Sequence, residues 1–410
     1  MKRLFKLLPL AALLAFQSQP GLAADDELQL IKKELLSLIS RIESLEAENQ
    51  QLRQVVSRNE ETISQSSTKQ KKSSWTDTIK LSGDLRTRHE TIEPENGSDR
   101  ERTRVRARLA ISAKPTDDLE VGIGLASGGT DPVSTNQTLG SAASTKDIRL
   151  DLAYFKWQAK PGLTLIGGKM KNVYFKPGGN PLLWDGDLRP EGMALTYKGN
   201  NFFLNGGAHF LESDSRRSNN AMTLGLQAGY VTSLGFGKLT AGASYFTFDT
   251  KGEIAYLDDF AGNTFTCPAG QTTDCRFAKD FDEIELFAQL STSLGEKPLT
   301  LFADYAQNQD ASDYDSAWAI GLKFGKASSP GTWELGYTYQ DVEADAVFGL
   351  WNDSDFGSGV TDSKGHILKG AWALNKKSKI GFTYFDNEVG VDLGAGDDYE
   401  RLQLDWSFKF

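Results

Sequence analysis

Residues 104–112 read Arg-Val-Arg-Ala-Arg-Leu-Ala-Ile-Ser, so Val105, Ala107, Leu109 and Ile111 alternate with Arg104, Arg106, Arg108 and Ser112. A period of two sends successive side chains to opposite faces of a strand, one face apolar and the other cationic. An Arg turned toward hydrocarbon costs about 2–4 kcal/mol near a bilayer midplane. If the apolar face meets lipid, Arg104, Arg106 and Arg108 must face water on the other side. The segment before it repeats the pattern: Ile79, Leu81, Gly83 and Leu85 alternate with Lys80, Ser82, Asp84, Arg86 and Arg88. As consecutive strands the two should pair, which predicts one basic wall made of Arg86, Arg88, Arg104, Arg106 and Arg108.

The same alternation continues in 119–125, 148–154, 163–170, 193–197, 202–210, 222–230, 239–248, 284–294, 299–305, 318–324, 333–339, 366–374, 380–385 and 402–410. That makes sixteen candidate strands. The links between them alternate in length. Long ones (89–102, 127–147, 170–190, 211–220, 249–282, 309–315, 341–365, 387–398) follow every odd strand, and tight turns follow every even one. A soluble sandwich or propeller also alternates along its strands but lacks this asymmetry. The expected fold is all-β: a 16-stranded antiparallel transmembrane β-barrel over 75–410, preceded by an α-helical coiled-coil segment. Closure leaves no unpaired edge, which satisfies the backbone in lipid.

Composition agrees. The 410 residues include 40 Gly, 23 Phe, 12 Tyr, 8 Trp and only 2 Cys, and mean hydropathy is −0.40. No apolar run outside the N-terminus is long enough for a helical span. The net charge of −10 removes nucleic acid as an expected partner.

Residues 1–24 carry Lys2, Arg3 and Lys6, an apolar run from Leu7 to Phe16, then Gly21, Ala23 and Ala24, which is the order of a secretory signal peptide. From Leu28 the apolar residues step by three and four. Leu28, Leu35, Ile42, Val56 and Ile63 take heptad position a, and Ile31, Leu38, Leu45 and Leu52 take d, with Asn49 at a and Asn59 at d. Residues 25–63 are therefore expected to form an oligomerising coiled coil, the alternative being one amphipathic helix against the body. The polar stretch 64–74 reads as a linker.

The third long link contains Leu183-Trp184-Asp185-Gly186-Asp187-Leu188-Arg189-Pro190-Glu191-Gly192, preceded by Gly168-Lys169-Met170-Lys171 and Pro177. This stretch, lying between strands five and six, resembles the family of Gram-negative outer-membrane proteins described as "Putative porin", relatives of the phosphate-selective porins. The resemblance covers about 75–410 and implies a homotrimeric, water-filled channel in the outer membrane. Its third loop would fold inward, making Trp184, Asp185, Asp187, Arg189 and Glu191 constriction residues. The coiled coil resembles a periplasmic extension that some such proteins carry, and its length could approach peptidoglycan, so a structural anchor is the alternative role. The last strand sets Leu402, Leu404, Trp406, Phe408 and Phe410 on one face. It resembles the terminal strand that barrel-insertion machinery reads.

Asp185 and Asp187 would then face the basic wall and set a transverse field across the channel. The competing reading pairs those Arg with Asp84, Glu120 and Asp151. Net charge for 75–410 is −12, yet selectivity follows the constriction, which gives a weak lean to anions among the ions and small hydrophilic solutes that pass. Cys267 and Cys275 lie in one long outer link and are expected to form a disulfide. His89, His209 and His366 lie on different strands without a Gly-x-Ser-x-Gly element. No catalytic residue, metal or cofactor is expected, and lipid, a second copy of the chain and solutes are the expected partners.

Overall fold

The structure, a computed structural model, describes residues 24–69, 75–213 and 221–410. Residues 1–23 of the expected signal peptide (1–24), residues 70–74 and residues 214–220 lie outside that range. The chain divides into two units at Ser74.

In the first unit, helix α1 spans Ala24–Lys69. It runs on past residue 63 to Lys69, where a linker was expected. The sequence Ser64–Lys69 is polar but holds no Gly or Pro, and polarity alone does not end a helix. Ile31, Leu35, Leu38, Ile42, Leu45, Leu52 and Val56 are each more than half exposed on the single chain. Such a stripe is what a helical partner covers.

In the second unit all sixteen alternating segments are strands: β1 Lys80–Pro94, β2 Arg100–Ala113, β3 Leu119–Ser127, β4 Ile148–Lys160, β5 Leu163–Lys169, β6 Glu191–Lys198, β7 Phe202–Glu212 and β8 Ala221–Leu234. They continue as β9 Gly237–Phe248, β10 Phe281–Leu294, β11 Lys297–Asn308, β12 Ser316–Gly325, β13 Trp333–Val342, β14 Ser363–Asn375, β15 Ser378–Val389 and β16 Asp397–Lys409. Each is antiparallel to the next, and β1 pairs with β16 from Asp84↔Lys409 to Pro94↔Tyr399, which closes the barrel. At the seam the Gly83 and Phe410 backbones exchange hydrogen bonds of 3.2 and 3.1 Å. A Cβ on Gly83 would sit 2.4 Å from the Phe410 ring and 2.5 Å from the Arg108 carbonyl oxygen, so only glycine lets the terminal ring lie there.

The facing follows the pleat. Leu81, Ile111, Ile123, Leu226, Ile320, Trp372 and Trp406 are exposed on the outer surface, while the residues between them point inward. Among the described residues no helix is long and apolar enough to cross a membrane; the crossing elements are the strands.

Two outer links differ from expectation. Pairing of β1 with β2 continues to Ile92↔Arg100, which shortens the first long link to residues 95–99. Alternation of apolar residues marks only the lipid band, whereas backbone pairing continues through the polar residues beyond it. In the second link, the short strand Gln137–Thr138 pairs with Arg104 and Val105, occupying the edge that β3 leaves when it ends at Ser127.

Candidate functional site

The third long link, residues 170–190 (loop 3), lies inside the barrel. Its apolar side chains put it there: Met170, Tyr174, Leu182, Leu183, Trp184 and Leu188 are all buried. Trp184 stacks on Tyr174 at 5.2 Å and meets Phe246 of β9 edge-on at 4.9 Å. Trp351 and Phe348, from the seventh long link (343–362, loop 7), complete the cluster. The apolar core of this protein therefore sits within the barrel, against the β9–β10 wall.

A buried loop must satisfy its backbone, and wall glutamines serve here. Gln227 of β8 accepts from the Phe175 N–H at 2.6 Å and donates to its carbonyl at 3.0 Å. Gln289 of β10 accepts from the Gly178 N–H at 2.8 Å, and Gln340 of β13 accepts from Asn180 at 3.2 Å. Gly178 has φ +61°, and a Cβ there would meet the Phe302 ring at 2.2 Å. Lys176 turns back to the Trp184 and Asp185 carbonyl oxygens at 3.2 and 3.4 Å.

So anchored, loop 3 presents Asp187 to the basic wall. Register places Arg86 opposite Arg106, Arg88 opposite Arg104 and Asp84 opposite Arg108. Asp187 accepts from Arg108 at 2.9 Å, from Arg106 at 3.4 Å and from the Thr135 hydroxyl at 3.1 Å. Asp84 bridges the same two guanidiniums at 3.1 and 2.8 Å. Farther along, Arg88 binds Asp405 of β16 at 2.7 Å and Asp355 of loop 7 at 3.0 Å, and Arg86 lies 3.8 Å from Asp405. Arg401 joins Asp355 at 2.8 Å and Glu90 at 2.6 Å, and Glu90 also holds Arg102 and Arg104. Seven guanidiniums thus face five carboxylates (Asp84, Glu90, Asp187, Asp355 and Asp405).

The remaining residues of the third link are placed differently. Asp185 is buried and turned away from the wall: its carboxylate accepts from the Asp187 N–H at 2.5 Å and the Ser354 N–H at 3.1 Å, and its own N–H donates to the Trp351 carbonyl at 2.8 Å. It joins loop 3 to loop 7. Arg189 pairs with Asp151 at 3.3 Å, and the exposed Glu191 with Lys169 at 2.7 Å. Glu120 accepts from the Tyr154 hydroxyl at 2.8 Å rather than from the wall.

The two loop 3 carboxyls titrate in opposite directions. Burial pushes Asp185 up to about 8, and the nearby Asp353 carboxylate adds to it. Burial also raises Asp353. For Asp187 burial acts upward too, but Arg106, Arg108 and Arg189 outweigh it and hold the group below its ordinary value. Arg401 and Arg88 likewise overcome burial at Asp355 and depress it.

Loop 7 and β16 are what sequence reading missed. Asp405 and Arg401 are brought to the wall by closure of β16 onto β1, and Asp355 by the inward fold of loop 7. The alternation did signal that Arg401, Gln403 and Asp405 face inward. Elsewhere, Cys267 and Cys275 are bonded to each other. His209 is buried beside Tyr174, His366 bonds the Tyr337 hydroxyl at 2.8 Å, and His89 the Thr103 hydroxyl at 3.1 Å.

The barrel is similar to OprB of Pseudomonas putida in its high-pH structure, with 13% identity, a TM-score of 0.56, and 82% of this chain and 95% of that one covered. Two further likenesses are OmpT of Vibrio cholerae with its loop L8 deleted (13% identity, TM-score 0.49, 81% of this chain and 99% of that one) and a five-site mutant of the Rh. blastica porin (12%, 0.49, 81% and 100%). These likenesses concern the fold. No curated protein matches the chain. The model of the family described as "Putative porin" matches residues 91–253 and 219–410, most of the closed barrel with its inward loop and the β2 side of the basic wall, and the chain belongs to that family.

Proposed function

We propose that this outer-membrane porin passes ions and small hydrophilic solutes through a lumen narrowed between loop 3 and the β1–β2 wall, with a weak preference for anions. The observation that carries this reading is Asp187, held by loop 3 against Arg106 and Arg108. The path lies between that bridge, loop 7 and the wall, where a cavity of 250 Å³ is lined by Arg86, Arg88, Arg106, Asp187, Asp355 and Lys369. Along the wall beside it seven guanidiniums face five carboxylates, and that excess favours anions, while the acid-rich outer loops moderate the preference.

The barrel works as a trimer with α1 in the periplasm. The turn Trp75–Thr78 leads into β1, and the Thr78 hydroxyl bonds the Lys114 carbonyl at 3.1 Å in the first tight link. The chain thus enters on the side of the short turns, which in bacterial barrels is periplasmic. Three copies of the exposed Leu/Ile stripe then cover one another.

Planar-bilayer recording of the purified full chain tests the reading. Stepwise conductance with a small anion-selective reversal potential at low salt supports it; a folded barrel that conducts nothing overturns it.

A further inference from the structure

Beneath loop 3, on the side of the short turns, a cavity of 420 Å³ is lined by Val173 and Phe175 of the loop, Lys198 of β6, Phe203 of β7, Val231 of β8 and Lys238 of β9. Its size falls in the range of about 300–1,000 Å³ found for small-molecule sites. The pleat turns these wall residues into the lumen, because Leu195, Phe202, Leu204, Tyr230 and Tyr245 of the same strands are exposed on the outer face.

Glycines make room for an aromatic floor. Phe203 lies over Gly229, where a Cβ would meet its ring at 2.2 Å, and Phe287 of β10 lies over Gly242, where a Cβ would meet its ring at 2.4 Å. The two rings stack at 6.5 Å with 18° between their planes. Phe175 completes the group, 5.8 Å from Phe203 and 5.4 Å from Phe287, and Gln227 fixes it through its N–H and carbonyl. Phe287 is buried, whereas Phe175 and Phe203 are only partly covered.

The charge of the cavity has one sign. Lys198 stands opposite Phe203 across the β6–β7 pair, and Lys238 reaches the same space from β9. No carboxylate lines it, in a chain whose acidic residues outnumber its basic ones by 55 to 45. Among the described residues the lysines in ion pairs are Lys169 and Lys364, so neither ammonium group here has a carboxylate partner. A strongly hydrated mineral anion would lose water against the Phe rings and gain little in return. A flat ring carrying one carboxylate suits both parts: its face stacks on Phe203 and Phe175, and its oxygens accept from the lysines.

We propose that this cavity is a binding site for an aromatic monocarboxylate, benzoate being the simplest. Because Phe175 belongs to loop 3, the acid is held directly beside the constriction. Its place on a solute path rests on the channel reading; the binding itself does not.

The test separates the two. Calorimetric titration of the full chain in lipid nanodiscs reads binding without conduction. Benzoate should bind the unmodified protein, and acetate and benzyl alcohol, which each keep one half of the chemistry, should bind about tenfold more weakly. K198Q/K238Q should weaken benzoate by about fivefold or more, and the charge-keeping K198R/K238R should stay within about twofold. F203L keeps an apolar side chain without the ring; it should weaken benzoate by about threefold or more and leave far-UV circular dichroism unchanged. In bilayers, millimolar benzoate added on the short-turn side should interrupt the chloride current of the unmodified protein, and that of K198Q/K238Q far less often. Absence of benzoate binding, benzoate affinity unchanged in K198Q/K238Q or in F203L, or benzyl alcohol binding as tightly as benzoate each overturns the site. The expected affinity pattern without any chloride current upholds the site and fails the channel reading.

Discussion

Arg108 Nη1 donates to the Asp187 carboxylate at 2.9 Å, and this bond joins the barrel wall to a loop held from the other side by Trp184. On the proposed reading this linkage contributes to both pore width and local charge. Asp187 neutralises part of the wall while its loop fills the lumen opposite.

The aromatic anchor is the first point to test. Trp184 is 2% exposed and touches Tyr174, Phe246, Phe248 and Trp351. Trp184→Ala removes a buried ring whose loss in a core costs about 3–5 kcal/mol. Because the strands pair without it, the barrel stays closed while loop 3 loosens. Single-channel conductance should rise and become noisier in W184A, and far-UV circular dichroism should not change.

The seam gives a second expectation. Gly83→Val places side-chain carbon against the Phe410 ring and a carbonyl oxygen that belongs to the β1–β2 ladder. Overpacking of this kind costs about 1–3 kcal/mol, and here it acts on the closing strand pair. The unfolding temperature followed by gel mobility should fall in G83V, with F410A relieving part of the loss.

Titration of Asp185 makes the junction of loops 3 and 7 sensitive to pH. Its folded value, about 8, lies above the ordinary 3.8. The stability from the protonated form is complete below the ordinary value and is lost as pH rises toward the folded one. The loss is on the order of a few kcal/mol, since each unit is worth about 1.4 kcal/mol. Hydrogen exchange of residues 183–187, corrected for intrinsic rates, should show protection falling from pH 5 to pH 9, and level protection in D185N.

The helix is testable by itself. Deleting residues 24–69 should leave a folded barrel and lower the temperature at which the oligomer dissociates. Crosslinking of the intact protein should trap trimers, and monomers alone would contradict the assembly.

The barrel was legible because lipid imposes period-two alternation on every strand, so Val105–Ile111 and fifteen like it could be read without any knowledge of pairing. The inward facing of the five Arg followed from the same alternation. What could not be read is where a loop's side chains end up. Asp185 and Asp187 are two residues apart in sequence, yet one turns to the loop 7 backbone and the other to the wall. That difference depends on Trp351 and Ser354, far away in the chain. Likewise Asp355 meets Arg88 and Arg401 because loop 7 folds inward to the place where β16 closes on β1. The glutamines that hold loop 3 read in sequence as ordinary lumen-facing polar residues. Contacts between long loops and distant strands leave no periodic mark.

The most direct measurement is the reversal potential across a salt gradient, recorded at low ionic strength where charges within the Debye length of about 10 Å are least screened. Asp187→Asn leaves Arg106 and Arg108 with Asp84 as their remaining carboxylate and should move the potential toward anions. Replacing Arg104, Arg106 and Arg108 with Gln should move it toward cations. Both shifts should shrink at 1 M salt, where screening reaches about 3 Å. Reversal potentials unchanged in both variants at low salt would contradict the account, because the Asp187 bridge would then border no part of the conducting path.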